Sequence, residues 1–238
     1  MEREMPDTKP PYKKFDHDEF ARTRAPDDFW GQIRRTVQGK PVSDEHIGMI
    51  VDAVTTRLDL NGDDKLLDLA CGNGALSKLF FGRCTEYLGV DFSEYLISVA
   101  KKHFEAPPRY RFELHDAAEY VRLEPLPERF TKALCYGSFA YFPDPAASEV
   151  LRLLFERFKN VQSMFIGNLP DKDKAQAFYG ENAPTAEELA DSSSQIGIWR
   201  TREEFSSLAR KAGWKAAFST MPDAYYSSYY RYDVLLRR

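Results

Sequence analysis

Residues 65–92 read KLLDLACGNGALSKLFFGRCTEYLGVDF. Leu66, Leu67 and Leu69 form an apolar run of strand length, and Tyr87 to Val90 form a second, closed by Asp91. Between them a turn of small residues, Ala70-Cys71-Gly72-Asn73-Gly74, opens a helical stretch from Ala75. A strand, a tight turn, a helix and a parallel strand ending on a carboxylate make a seat for a nucleoside-like ligand. The turn lets backbone approach the ligand, and the terminal acid can accept hydrogen bonds from a ribose diol.

Three ligands compete for that seat. A P-loop nucleotide requires Lys and then Ser or Thr directly after the second glycine, whereas Gly74 is followed by Ala75 and Leu76, and Lys78 lacks that spacing. A dinucleotide fingerprint requires a third Gly or Ala where Ser77 stands, so only Gly72 and Gly74 fit. S-adenosylmethionine carries a ribose, an adenine, a sulfonium and an ammonium but no phosphate. Its site calls for acids near the turn, and Asp68 at the strand end meets that demand.

With those residues quoted, Asp68-Leu69-Ala70-Cys71-Gly72-Asn73-Gly74 resembles the Asp/Glu-x-Gly-x-Gly-x-Gly signature of class I S-adenosylmethionine-dependent methyltransferases, Ala70 standing for the first glycine. Gly89-Val90-Asp91-Phe92-Ser93 is similar to the second motif and His115-Asp116-Ala117 to the third, so the likeness spans roughly Leu66 to Gly167. It implies that Gly72 and Gly74 pass beneath the methionine and ribose, with Ala70, Cys71 and Asn73 completing the turn. Asp68 would hold the ammonium end, Asp91 the ribose hydroxyls and Phe92 one face of the adenine. Asp116 would accept from the adenine amine beside the Ala117 backbone, and Tyr136 and Gly137 would lie near the sulfonium. S-adenosyl-L-methionine is then the cofactor and S-adenosyl-L-homocysteine the product.

The order of elements extends the pattern. Asp28 to Gln38 reads as a short helix stopped by Gly39-Lys40-Pro41. Ser43 caps a second helix, in which Ile47, Ile50, Val51 and Val54 recur at helical spacing. Helix and strand then alternate, with strands at Tyr110 to Leu114, Lys132 to Cys135 and Ser163 to Asn168, and helices at Ser93 to Phe104 and Ala146 to Phe158. Thr201-Arg202-Glu203-Glu204 opens a helix to Ala212, and strands Trp214 to Thr220 and Tyr230 to Leu236 follow. The expected fold is α/β: a Rossmann-like, doubly wound, mostly parallel sheet with helices on both faces and a C-terminal antiparallel hairpin strand. A dehydrogenase would continue with parallel crossovers instead. We expect one domain over 1–238: a lid or helical extension to 60, a cofactor core over 61–168, a substrate-side insertion over 169–200, and the last helix and strands over 201–238.

Composition agrees with a globular enzyme. The chain has 238 residues, 33 Lys and Arg against 37 Asp and Glu, and 14% aromatics, enough for one sizeable core and against global disorder. No basic tract suggests a nucleic-acid surface. The Asp/Asn-Pro-Pro-Tyr/Phe tetrapeptide of amino-methylating nucleic-acid enzymes is replaced by Tyr136-Gly137-Ser138-Phe139. Cys71, Cys84 and Cys135 have neither metal nor disulfide spacing and read as small buried thiols, which fits a cytoplasmic setting. The first twenty residues are charged and proline-bearing, unlike a secretory signal, and no apolar run approaches the roughly 20 residues that span a bilayer.

Transfer from a sulfonium needs an acceptor placed in line and a base for its proton. Of His17, His46, His103 and His115, only His17 sits in a segment suited to covering a site, and Tyr141 is a candidate to orient the acceptor. Tyr12, Phe29, Tyr141, Tyr179, Tyr225 and Tyr226 are candidate walls for a small-molecule acceptor, each with core packing as the competing role. Trp30 and Arg34 are candidates for the methionine end of the cofactor, Arg34 alternatively being one charge on a solvated helix. The expected activity is methyl transfer to oxygen or nitrogen of a small molecule, in natural-product or sugar metabolism, without metal, nucleic acid or membrane. Catalytically silent cofactor binding and a degenerate nicotinamide dehydrogenase are the alternatives.

Overall fold

The computed structural model describes residues 14–182 and 184–238. In chain order, α1 (Lys14–Arg22) and α2 (Phe29–Gln32) precede a hairpin of β1 (Thr36–Val37) and β2 (Lys40–Pro41), then α3 (Asp44–Leu58). The central region runs β3 (Lys65–Leu69), β4 (Glu86–Asp91), α4 (Glu94–His103), β5 (Tyr110–Leu114), α5 (Ala117–Leu123), β6 (Lys132–Tyr136), α6 (Asp144–Arg157) and β7 (Ser163–Pro170). Two short helices, α7 (Ala175–Tyr179) and α8 (Ala186–Leu189), lead to α9 (Arg202–Lys211), β8 (Lys215–Ser219) and β9 (Arg231–Arg237).

Alternation along β3 explains the layering. Leu67 and Leu69 join the cluster under α5, α6 and α9. Leu66 points the other way and joins Ile50, Val54 and Leu58 of α3 and Ile97 of α4. A strand with both faces covered reads as a near-continuous apolar run, which is why it could be found by eye. The main sheet has the order β5-β4-β3-β6-β7-β9-β8. Its pairs are parallel from β5 to β7, and β9 runs antiparallel to both β7 and β8. The carboxyl ends of β3, β4, β6 and β7 therefore share one rim, the position where open α/β sheets bind ligands.

Several helices start where their caps dictate. Ser43 accepts from the His46 amide and Ser93 from the Leu96 amide (3.1 Å), and Thr201 with Glu204 forms a reciprocal capping box.

Two expected helices are cut short. The one expected from Asp28 to Gln38 lasts one turn, α2. Arg34 then takes φ +54°, and Gln38 and Gly39, both at positive φ, turn the β1–β2 hairpin. The helix expected from Ala75 is a single 3-10 turn, Ser77–Phe80, because α3 already covers that face of the sheet and Phe80 drops into the same cluster. Helix α5, not foreseen, starts at Asp116, whose carboxylate accepts from the Ala118 and Glu119 amides (2.9 and 3.1 Å).

Candidate functional site

A cavity of about 770 Å³ opens at the carboxyl rim of the sheet, within the range of small-molecule sites. Its floor is the turn after β3. Ala70 and Gly72 both adopt left-handed backbone (φ +58° and +62°), and the Ala70 carbonyl accepts from Ser138 Oγ at 3.1 Å. Asp91 at the end of β4 braces that turn: Oδ2 accepts from the Gly72 amide (2.8 Å) and Oδ1 from the Ser93 amide (2.9 Å). Each oxygen keeps a further lone pair for a ligand hydroxyl.

Asp68 lies beneath the turn, 4% exposed, and its Oδ2 accepts from the hydroxyls of Tyr87 and Ser77. Burial, opposed by the Tyr87 hydrogen bond and reinforced by the neighbouring Asp91 charge, pushes its pKa up to about 7. Burial also raises Asp91, against the pull of the Ser93 and Gly72 amides. Cys71 borders the same space. Burial, then the two carboxylates, holds its thiol well above the usual range, so it is no nucleophile at neutral pH.

Helix α1 straps the cavity from above. Asp18 Oδ1 accepts from Ser93 Oγ and from the Tyr95 amide (2.9 Å), tying α1 to the N-terminus of α4. His17 follows, its ring centroid 4.8 Å from Tyr141 and 6.2 Å from Phe92, both edge-on. The Tyr141 hydroxyl donates to the Gln195 carbonyl (2.8 Å), which fixes the loop of residues 192–196 as a far wall. Burial raises the Tyr141 pKa against the nearby charges of Arg231 and Arg34, so the phenol stays protonated as a donor.

Among the sequence candidates, the structure brings His17, Arg34, Asp68, Ala70, Cys71 and Gly72 to this cavity, and with them Asp91, Phe92, Tyr136, Gly137, Tyr141 and Tyr226. Others lie elsewhere. Asn73 is fully buried and stitches α2 to the turn, its Nδ2 donating to the Phe29 carbonyl (2.8 Å) and Gln32 Oε1 (2.9 Å). Gly74 is not on the cavity wall, and a Cβ there would stand 2.8 Å from Phe112 Cζ. Phe29 packs edge-on against His103 and Phe104, and Trp30 against the α3 side of the core. Tyr179 joins Phe178 and Trp199 in a satellite cluster, and Tyr225, 2% exposed, packs on His46. Asp116 and Ala117 lie at the start of α5, off the cavity wall; Asp116 Oδ2 is buried without a partner. Tyr12 falls outside the described residues.

The sequence reading missed Gln32, Arg35, Asn168 and Arg231, all of which line the cavity, while the 192–196 loop falls within the insertion expected over 169–200. Asn168 carried a usable signal as the last residue of an expected strand. Arg35 carried half of one, in the Arg34-Arg35 doublet. Among the described residues no cluster of His, Cys, Asp and Glu could hold a metal ion, and no helix is long and apolar enough to cross a membrane.

Residues 66–160 match the family model described as Methyltransferase domain. The chain is 29% identical over 163 residues to the ubiquinone biosynthesis O-methyltransferase of Pseudomonas fluorescens (strain SBW25), covering 68% of this chain and 67% of that one. Among solved structures it is similar to magnesium protoporphyrin IX methyltransferase from Synechocystis PCC 6803. With bound SAH that protein gives a TM-score of 0.59 at 14% identity, covering 82% of each chain. With bound SAM the TM-score is 0.56 at 15% identity, over 86% of this chain and 89% of that one. At such identities the structural likeness speaks for the fold.

Proposed function

We propose that this chain is a class I S-adenosylmethionine-dependent methyltransferase, in keeping with the methyltransferase domain model and the relatives it matches, and that it methylates a hydroxyl oxygen of a small-molecule acceptor. The observation that carries the reading is the shared space: the acid-braced turn and the His17–Tyr141 pair border one cavity of about 770 Å³, sized for a metabolite. The oxygen preference draws on the Pseudomonas relative, whose name specifies O-methylation; we extend only the acceptor atom, not the acceptor.

The residues present fit the cofactor. Asp91 retains lone pairs for two ribose hydroxyls after accepting its two amides. Past the cavity wall, at the start of α5, the orphaned Asp116 Oδ2 would serve an adenine amine that extends that far, with the Ala117 backbone beside it. Phe92 would cover the base, and Arg34 would hold the methionine carboxylate. Tyr136 and Gly137 would border the methionine end, with Asp68 toward the ammonium. When bound, S-adenosylmethionine supplies a sulfonium methyl activated for in-line displacement. His17 would take up the proton released by the acceptor hydroxyl. Tyr141 and the 192–196 loop exclude water and orient the ring or chain that bears the hydroxyl.

The test pairs labelled S-adenosylmethionine with catechols and matched aromatic amines. We expect transfer to hydroxyls, with His17→Ala lowering kcat by about 10²- to 10⁴-fold and leaving S-adenosylhomocysteine affinity unchanged. Transfer to amines alone, or full turnover by His17→Ala, would refute the assignment.

A further inference from the structure

The cavity is electrically two-sided. The charged acids lining it are Asp68 and Asp91, on β3 and β4, while Arg24, Arg34, Arg35 and Arg231 line the remainder. None of the four arginines forms an ion pair within the described residues. Arg24 and Arg34 lie over the Phe20 ring at 4.5 and 4.3 Å, and Arg231 over Tyr230 at 4.7 Å. Arg35 is the decisive one. It is 8% exposed, its guanidinium sits 5.0 Å from the Tyr136 ring centroid, and its Nε and Nη1 have no hydrogen-bond partner.

An arginine cannot shed its charge, so a buried guanidinium without a counter-ion needs an anion to complete it. The surrounding protein does not supply one. Burial keeps the phenols of Tyr136 and Tyr225 protonated, and Asp233 on β9 is engaged by the Asn168 amide at 2.7 Å. Asn168 Oδ1, another cavity residue, is likewise unpartnered, while Arg231 Nη1 donates to the Asn168 carbonyl at 2.5 Å. Position separates this cluster from the ribose end and sets it beside Tyr136 and Gly137, toward the methionine end, whose single carboxylate is already matched by Arg34 in the reading above. A Cβ on Gly137, after β6, would meet Arg35 Nη2 at 3.0 Å, and Asn168 is on β7, three strands from Asp91 in the order β4-β3-β6-β7. At roughly 4.8 Å per strand that is about 14 Å. The cofactor carries one carboxylate, and four arginines exceed what it can use.

We propose that the acceptor is itself an oxyanion, a carboxylate- or phosphate-bearing hydroxyl compound, and that Arg35, assisted by Arg231, holds its anionic group on the β6–β7 side while the hydroxyl faces His17. This rests on the methyltransferase reading above and adds the charge class of the substrate. Both anions present oxygens to the same guanidinium face, and the two arms of the test tell them apart.

The experiment is isothermal titration of the full chain saturated with S-adenosylhomocysteine. The probes are matched pairs: benzoate with methyl benzoate, 3,4-dihydroxybenzoate with its methyl ester, and phenyl phosphate with phenol. We expect at least one acid to bind tenfold or more tighter than its neutral partner, about the worth of one charge-assisted hydrogen bond. Tighter binding in the carboxylate or the phosphate arm names the group. Arg35→Met should erase that preference with S-adenosylhomocysteine affinity within about threefold. Arg231→Gln should reduce it, and carries the comparison if the first variant does not fold. No charge preference in the wild type at millimolar probe overturns the proposal. So does an Arg35→Met variant that keeps the preference while losing S-adenosylhomocysteine, which would give Arg35 to the cofactor. Wild type that fails to bind S-adenosylhomocysteine at all overturns the cofactor reading itself, and this inference with it.

Discussion

Asp91→Ala separates two duties that one carboxylate performs. In the free protein its oxygens hold the Gly72 and Ser93 amides at 2.8 and 2.9 Å, so truncation leaves two N–H groups short of an acceptor near the cavity floor. Each orphaned donor costs about 1–3 kcal/mol. The loss is offset in part because Asp91 is itself held in a site that disfavours its charge, burial raising its pKa. We expect a net destabilisation of about 1–3 kcal/mol, read as a shift in the urea midpoint without a change in slope. Binding should suffer more. Two ribose hydroxyls lose a charged acceptor, and at about 1.5 kcal/mol or more each the affinity for S-adenosylhomocysteine falls by at least about 10²-fold in calorimetry. A variant that binds within threefold of wild type while losing the full stability increment would show that Asp91 only braces the turn, and the ribose assignment would fall.

Three further outcomes follow from the same geometry. The Asp68 carboxyl has its pKa raised from 3.8 to about 7, so between those values the native state binds a proton that the unfolded chain lacks. Stability of the free protein should therefore fall as pH rises through that window, by a few kcal/mol at most, with Asp91 and Asp233 acting in the same direction. Asp68→Asn should flatten the slope in urea titrations from pH 4 to 7.5, and an unchanged slope would contradict the assignment. Gly74→Ala combines φ +77° with a Cβ 2.8 Å from the Phe112 ring and should cost about 2 kcal/mol or more, whereas Gly82→Ala, at φ +81° in open space, should cost about 1. Equal drops in Tm would count against the packing argument. Asp18→Ala removes the tie from α1 to α4 and the Arg22 ion pair of 2.8 Å, so trypsin should cut at Arg22 and Arg24 several-fold faster, with global stability lowered by about 1 kcal/mol. Unchanged cleavage would mean that α1 is held by other contacts.

The sequence revealed what local chemistry decides. Strands β3 and β4 stood out because apolar runs end at small or acidic residues, and α9 because Thr201 and Glu204 cap reciprocally. Acids at strand ends were found for the same reason: a strand that stops at the sheet rim delivers its last side chain there. What tertiary contacts decide was hidden. The backbone reversal at Arg34 depends on α2 being stitched to the turn by Asn73, 41 residues away from Gln32 in the chain. Neighbouring aromatics were hard to sort because a helix turn or loop sends them to different surroundings: Tyr225 is buried and Tyr226 borders the cavity, while Phe29 meets α4 and Trp30 the α3 side. Arg35 and Arg231 lie far apart in sequence and gain meaning only when β7 and β9 pair, with register running from Ser163 opposite Arg237 to Pro170 opposite Arg231.

That pairing also imposes a timetable on synthesis. β9 follows β8 in the chain yet inserts between β7 and β8, so the edge of β7, with Met164, Phe165 and Ile166 fully buried once assembled, stays naked until Arg231 to Arg237 have been made. The proposed cofactor cradle, drawn from residues up to Gly137, can mature first on a nascent chain, while the Arg231 side of the cavity must wait. An uncovered apolar edge is a template for stray β-pairing, so this enzyme is most prone to aggregate while its cradle is already complete and its last strand is still missing.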